Sequence, residues 1–130
     1  MLPRIKKLLE HNAILLAVIA TIIVAVLSLT SVPKLDLGLK IKSSDKYLHA
    51  LAYFTLSSIW YFALQDKIKK LSFKILVIVS LIFYGIILEA LQGSFTNYRT
   101  ADLFDVIANI FGIVIATMIF DKILKWYHTI

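Results

Sequence analysis

Four long apolar segments, separated by shorter polar stretches, dominate the pattern of this chain. They predict helices at about 12–30, 46–64, 74–92 and 102–121. At a rise of about 1.5 Å per residue, each can cross a hydrocarbon core of roughly 30 Å once its flanks are included. Because lipid cannot satisfy free backbone groups, separate apolar segments of this length must be helical. The pattern therefore predicts one all-α domain over residues 1–130, an integral membrane bundle of four transmembrane helices.

The composition supports a membrane protein and narrows the possible chemistry. Of the 130 residues, 60% are hydrophobic and 17% are charged, whereas soluble chains average roughly 25% charged residues. The absence of cysteine excludes disulfides, zinc–thiolate sites and thiol nucleophiles. The net charge of +6 is attributed to lysines beside apolar segments, which contact anionic lipid headgroups. The lipid bilayer is thus the expected partner, and nucleic acid is not.

The first apolar segment has two interpretations. Arg4, Lys6 and Lys7 precede it, as in a cleaved signal peptide, but its apolar run exceeds the usual ~7–15 residues and no small-x-small cleavage site follows. We therefore predict a retained helix. The link at 31–44 alternates apolar and polar residues with a period of two, which predicts an extended segment along the membrane surface.

The distribution of lysine and arginine predicts the orientation. If the N-terminus lies inside, nine of these residues lie inside and five outside. The inner set is Arg4, Lys6, Lys7, Lys67, Lys69, Lys70, Lys74, Lys122 and Lys125, and the outer set is Lys34, Lys40, Lys42, Lys46 and Arg99. Since cytoplasmic loops carry the excess of basic residues, both termini are expected in the cytoplasm.

Nearly all polar residues of the membrane segments gather at the predicted outer face. They are Asp45, Lys46, His49, Tyr53, Glu89, Gln92, Arg99, Asp102, Asp105 and Asn109. Arg99 lies in the short loop, and helical spacing gives each of the last three helices one polar stripe. Three such stripes can face each other only around a common pocket. The stripes contain Asp45, His49 and Tyr53; Glu89 and Gln92; and Asp102, Asp105 and Asn109. The first helix has no ionisable residue in its apolar span, so we expect it to have a packing role.

Glu89 is the most demanding member of this group. An intramembrane charge costs roughly 2.5–3.5 kcal/mol at the helix centre and less near the interface. Glu89 also lies near a helix C-terminus, where the helix dipole disfavours a negative charge. It therefore needs a cationic or metal partner or a bound proton, and Lys46, His49 and Arg99 are the available cationic groups.

The aspartates and the histidine each allow a structural alternative. Helix capping is sufficient to explain Asp45 and Asp102, whereas Asp105 and Asn109 lie deeper and favour a functional role. His49 alone would be an ordinary histidine of a helix interface. Beside carboxylates it becomes a candidate general base or ligand of a divalent metal, although such a site would have to combine separate helices because no H-E-x-x-H spacing occurs.

Lys46 and Arg99 lie near two outward-pointing helix N-termini, a setting that suits a phosphate or carboxylate group. Arg99 could equally be an interfacial anchor or a structural partner of Glu89 or Asp102. A closed internal ion-pair network therefore remains an open alternative to a binding site.

Two motifs carry a family resemblance. D-K-x-x-H-x-x-x-Y at 45–53 and E-x-x-Q-x(6)-R-x-x-D-x-x-D-x-x-x-N-x-x-G at 89–112 resemble the VanZ-like family of bacterial integral membrane proteins. Two departures are Asn97-Tyr98, where members often have Pro-Gly, and Ala116, where members have a later glycine. The resemblance implies a multi-pass protein of the bacterial cytoplasmic (inner) membrane, connected with the cell envelope and with antibiotic resistance of the glycopeptide (teicoplanin) type.

Three functions follow as hypotheses. The first is binding of an envelope component, such as an anionic lipid or a lipid-linked wall precursor, by Lys46, Gln92, Arg99, Asp102 and Asn109. The second is a metal-assisted or acid–base hydrolase or transferase acting on lipid headgroups or lipid-linked precursors, with His49, Glu89 and Asp105 as catalytic residues and candidate metal ligands. The third is a structural subunit whose polar residues lock the bundle while a partner protein supplies the activity.

Overall fold

The computed structural model describes residues 2–29, 44–95 and 103–130, and these residues are almost entirely α-helical. A short 3-10 helix, Lys67–Lys69, connects the third and fourth helices. The five α-helices are α1 (Leu2–His11), α2 (Ala13–Leu29), α3 (Ser44–Ala63), α4 (Leu71–Phe95) and α5 (Leu103–Thr129). The prediction of an all-α protein is confirmed. Residues 31–43 of the predicted surface link lie outside the described residues.

Among the residues that the structure describes, two helices are long and apolar enough to cross a membrane, namely Leu71–Gln92 within α4 and Leu103–Thr129, which is α5. They support the prediction of a membrane protein. The bent pair of α1 and α2 would supply a third span if the pair is counted as one. α2 alone is about 25 Å long, which is shorter than a hydrocarbon core of roughly 30 Å. α3 is long enough, but its polar stripe lowers its mean hydropathy. Four transmembrane helices therefore remain a prediction.

The N-terminal region differs from its prediction. The sequence predicted one helix from about residue 12, whereas the structure has a separate helix α1 that meets α2 at a bend of 65°. Asn12 lies between the two helices and donates from Nδ2 to the carbonyl oxygen of Leu8 at 2.9 Å. α1 is amphipathic and buries no residue. Because polar and apolar residues are mixed along it, it lacks the continuous apolar run that predicted the other helices.

The last helix is longer than its predicted end at 121. Asp121, Lys122 and Lys125 follow its apolar run, yet the helix continues to Thr129. The Tyr127 hydroxyl donates to Glu10 Oε1 at 3.1 Å. The end of α5 therefore contacts α1.

α3 and α5 form the most extensive helix pair of the bundle, and a small residue sets their separation. A Cβ atom built on Gly112 would lie 2.1 Å from the carbonyl oxygen of Ala50, so only glycine permits this approach. Further along, a hydrogen bond of 2.6 Å joins Tyr61 to Thr117. The two helices run parallel, and their first turns lie side by side.

The remaining helices enclose this pair. Trp60 on α3 donates from Nε1 to Thr21 Oγ1 at 2.9 Å, and the Tyr84 hydroxyl on α4 donates to the backbone oxygen of Thr21. α2 thus packs against both helices, in agreement with its expected packing role. The outward surface is apolar, with Phe83 59% and Met118 74% exposed, as suits helices surrounded by lipid.

Candidate functional site at the polar end of the bundle

The candidate site lies where α3 and α5 begin and α4 ends, which we call the polar end. Its centre is an ion pair in which Lys46 Nζ donates to Asp105 Oδ1 at 3.1 Å. The two side chains are 35% and 13% exposed, respectively. Because both are partly withdrawn from water, the contact is less screened than a surface salt bridge. It joins the first turn of α3 to the first turn of α5.

His49 extends this pair deeper into the bundle. Its Nδ1 lies 3.1 Å from Asn109 Oδ1, and since an amide oxygen can only accept, Nδ1 is the donor. Its Nε2 lies 3.6 Å from Asp105 Oδ2, which is too long for a hydrogen bond but close enough for electrostatic attraction when the ring is protonated. The imidazole is therefore held between an amide and a carboxylate, with both of its nitrogens directed at oxygen atoms.

α4 brings a third set of polar side chains to the same end. Glu89 and Gln92 are buried on this helix, as is Tyr53 on α3. A Cβ atom on Gly85 would lie 3.1 Å from Asn109 Nδ2 and 3.3 Å from Tyr53 Cε1. The backbone of α4 therefore packs directly against the polar stripes of α3 and α5.

The structure brings together the sequence candidates to different degrees. Lys46, His49, Asp105 and Asn109 form one continuous set of contacts. The Gln92 side chain donates from Nε2 to the carbonyl oxygen of Ser28 at 2.6 Å, which ties α4 to the end of α2. Arg99 and Asp102 lie outside the described residues, as does the side chain of Asp45.

The candidate metal ligands do not form one set. Among the residues that the structure describes, no group of three or more histidine, aspartate or glutamate side chains could hold a metal ion. His49 and Asp105 are neighbours, but Glu89 does not complete a three-ligand site with them. The described part of the polar end is thus suited to ion pairing and hydrogen bonding.

One neighbour of the site was missed by the sequence analysis. The Lys46 ammonium lies 5.9 Å from the centre of the Phe104 ring, near the outer limit for a cation–π contact. Phe104 precedes Asp105 in the first turn of α5. Its aromatic character and position beside a candidate aspartate were the available signals, but its contact with Lys46 depends on the packing of α3 against α5.

Comparison with known proteins adds one relative. No family model matches the chain, and no solved structure matches it. An uncharacterised protein of Schizosaccharomyces pombe (strain 972) is 32% identical to it over 82 residues, which is 63% of this chain and 49% of that protein. The chain thus spans about half the length of this curated relative, whose description states no function.

Proposed function

We propose that this chain is a VanZ-like multi-pass membrane protein that binds the anionic or polar head of an envelope component at its polar end. The component is an anionic lipid or a lipid-linked wall precursor of the bacterial inner membrane, and its binding contributes to glycopeptide (teicoplanin-type) resistance. The observation that carries the proposal is the connected set of Lys46, His49, Asp105 and Asn109, within a bundle whose buried residues are mostly apolar.

The electrostatics of the polar end favour an anion. α3 and α5 run parallel and begin side by side, so the positive ends of both helix dipoles and their free N–H groups lie together. Lys46 adds a full positive charge at the same place, and its side chain is 35% exposed. A phosphate approaching from this end competes with the Asp105 carboxylate for the ammonium group. Binding therefore exchanges an internal anion for an external one.

The proposed topology presents this site to the envelope. Helices α2, α3, α4 and α5 cross the membrane with both termini in the cytoplasm, and the polar end faces the extracytoplasmic side. The excess of lysine and arginine at the other end supports this orientation. The site is then open to the leaflet in which wall precursors are displayed.

The proposal is tested by binding to the bilayer-embedded protein. Nanodiscs containing the wild-type chain are titrated with a lipid-linked disaccharide–peptide wall precursor and, separately, with phosphatidylglycerol. We expect at least one probe to bind, and Lys46→Gln to weaken that binding about tenfold, which corresponds to roughly 1.4 kcal/mol. Lys122→Gln removes the same charge from the exposed far end of α5 and should leave the affinity unchanged.

Two outcomes count against binding at the polar end. One is that folded wild-type protein binds neither probe. The other is that Lys46→Gln and Lys122→Gln change the affinity equally, because then only the net charge of the protein matters.

A second candidate, an acid–base membrane enzyme, rests on the orientation of His49. With Nδ1 donating to Asn109, Nε2 faces the Asp105 carboxylate 3.6 Å away, an arrangement that fixes the tautomer of a general base. In a hydrolase or transferase acting on lipid headgroups, this nitrogen would accept a proton from water or from a headgroup hydroxyl. Glu89, which is buried, would be the second acid–base group of this enzyme.

The enzyme is distinguished from the binding protein by turnover. Purified protein is incubated with headgroup-labelled lipids, and released headgroup is measured. If His49 is the base, His49→Gln should lower the rate by roughly 10²–10⁴-fold while binding of the intact lipid persists. Absence of turnover by wild-type protein in all tested lipids, or equal turnover by His49→Gln, would remove the enzyme hypothesis.

A further inference from the structure

A cavity of about 300 Å³ lies between α2, α3 and α4, away from the polar end. It starts near the end of α3 and the first turns of α4 and reaches the middle of the bundle. Its lining includes Trp60, Leu64, Leu76, Val77, Leu81 and Tyr84. From Leu76 to Tyr84 the cavity follows α4 for about 12 Å, close to the roughly 15 Å hydrocarbon depth of one leaflet.

The polar groups in the cavity wall already have partners within the protein. Thr21 accepts hydrogen bonds from Trp60 and Tyr84, and Ser80 donates to the carbonyl oxygen of Leu76 at 2.8 Å. A polar ligand would therefore leave its own groups unsatisfied against leucine and valine side chains. An apolar chain is the occupant that fits this surface.

A positively charged segment borders the mouth of the cavity. The segment at 65–74, which comprises the connection from α3 to α4 and the first turn of α4, carries four lysines and one aspartate, namely Lys67, Lys69, Lys70, Lys74 and Asp66. Lys69 lies 3.7 Å from Asp66. Lys74 is half-buried and has no ion pair within the described part of the chain. It precedes Val77 and Leu81 at helical spacings of three and seven, so it lies at the cavity side of α4.

We propose that this cavity binds one acyl chain of an anionic phospholipid whose phosphate is held by Lys74. The lysines of the connection add attraction for a negative headgroup, and the apolar cavity one turn deeper accepts the chain. This lipid site lies at the opposite end of α3 and α4 from the polar end, and it does not depend on the function proposed there.

Tryptophan fluorescence tests the site directly. The chain has two tryptophans, and Trp126→Phe leaves Trp60, which lines the cavity, as the sole emitter. This parent variant is placed in phosphatidylcholine bilayers with increasing mole fractions of brominated phosphatidylglycerol or brominated phosphatidylcholine. We expect the brominated anionic lipid to reach half-maximal quenching at a mole fraction at least threefold lower.

Three further variants, each made in the parent, locate the preference. In Lys74→Gln, half-maximal quenching should require the same mole fraction of either brominated lipid. Lys122→Gln, the matched loss of a lysine on α5, should retain the difference between the two lipids. Ser80→Phe places a ring at the cavity wall and should also abolish the preference. Circular dichroism and size-exclusion chromatography confirm that the variants are folded. Equal quenching of the parent by both lipids overturns the proposal, as does a full anionic preference in Lys74→Gln.

Discussion

The Asp105 carboxylate contacts two basic side chains through its two oxygens. Oδ1 accepts from Lys46 at 3.1 Å, while Oδ2 faces His49 at 3.6 Å. Asp105 also lies in the first turn of α5, where the helix dipole favours its negative charge. The carboxylate is therefore surrounded by polar partners, although its side chain is only 13% exposed.

The energetic value of the Lys46 and Asp105 pair is measured by a double-mutant cycle. Because the pair is half-buried, we expect a coupling energy of roughly 1–2 kcal/mol, between the values typical of exposed and buried pairs. The free energies of unfolding of wild type, Lys46→Met, Asp105→Asn and the double variant are compared in mixed micelles. Asp121→Asn, which changes an exposed carboxylate of the same helix, should alter stability by less than about 0.5 kcal/mol.

The same cycle bears on the hypothesis of a purely structural subunit. That hypothesis requires strong coupling and no loss of binding or turnover beyond the loss of folded protein. A coupling energy near zero would show that the pair does not lock the bundle, and the structural hypothesis would then lose its main support.

At the scale of helices, the approach of α5 to α3 brings their polar residues together. The contact of Gly112 with the backbone at Ala50 lies about one turn along α3 and about two turns along α5 from the Lys46 and Asp105 pair. Any side chain at position 112 must push the helices apart. The ion pair and the contact of His49 with Asn109 would then lengthen together.

Gly112→Ala is therefore expected to be strongly destabilising for so small a change. Its Cβ atom would meet a carbonyl oxygen at 2.1 Å, and overpacking of this kind costs about 1–3 kcal/mol or more. Thermal unfolding in detergent gives the size of the effect. Gly85→Ala is the matched control, since its nearest contacts are side-chain atoms at 3.1 and 3.3 Å, and its loss should be smaller. Equal losses for both variants would contradict the close helix contact inferred here.

The helices that could be predicted from the sequence are those with continuous apolar runs, because burial in lipid imposes that pattern. α1 could not be found in this way, since Arg4, Lys6 and Lys7 interrupt its apolar residues and leave no continuous apolar run. The side-chain hydrogen bond from Asn12 to the Leu8 carbonyl oxygen at the bend is likewise not signalled by a pattern of apolar residues. The extension of α5 to Thr129 includes contacts with α1 that are distant in sequence.

At the scale of the whole molecule, the sequence identified which residues gather at one end but not how they pair. Helical spacing gives the face of each helix, yet the rotation and register between helices decide which atoms meet. The contacts of Lys46 and His49 include Asp105, a pairing that helical spacing alone did not specify, and the expected cationic partner of Glu89 stays a prediction. The role of Arg99 stays a prediction, because it lies outside the described residues.

The two chain termini lie at the same end of the bundle. Lys6 Nζ lies 5.0 Å from the Tyr127 ring centre, and the rings of Phe62 and Tyr127 are 5.1 Å apart. α1, the end of α3 and the end of α5 therefore meet, opposite the polar end. In the proposed multi-pass topology, the two termini therefore lie either both inside or both outside.

The distribution of basic residues favours both termini inside, and cysteine labelling can decide the question because the chain has no native cysteine. Lys7→Cys and Lys125→Cys report on the end that carries the termini, and Tyr47→Cys reports on the polar end, where Tyr47 is 70% exposed. In intact cells a membrane-impermeant maleimide should label only Tyr47→Cys. After permeabilisation all three variants should react. The reverse pattern would place the polar end in the cytoplasm, where a wall precursor displayed on the outer leaflet could not reach Lys46. The experiment that determines the orientation therefore also limits which ligands can reach the site.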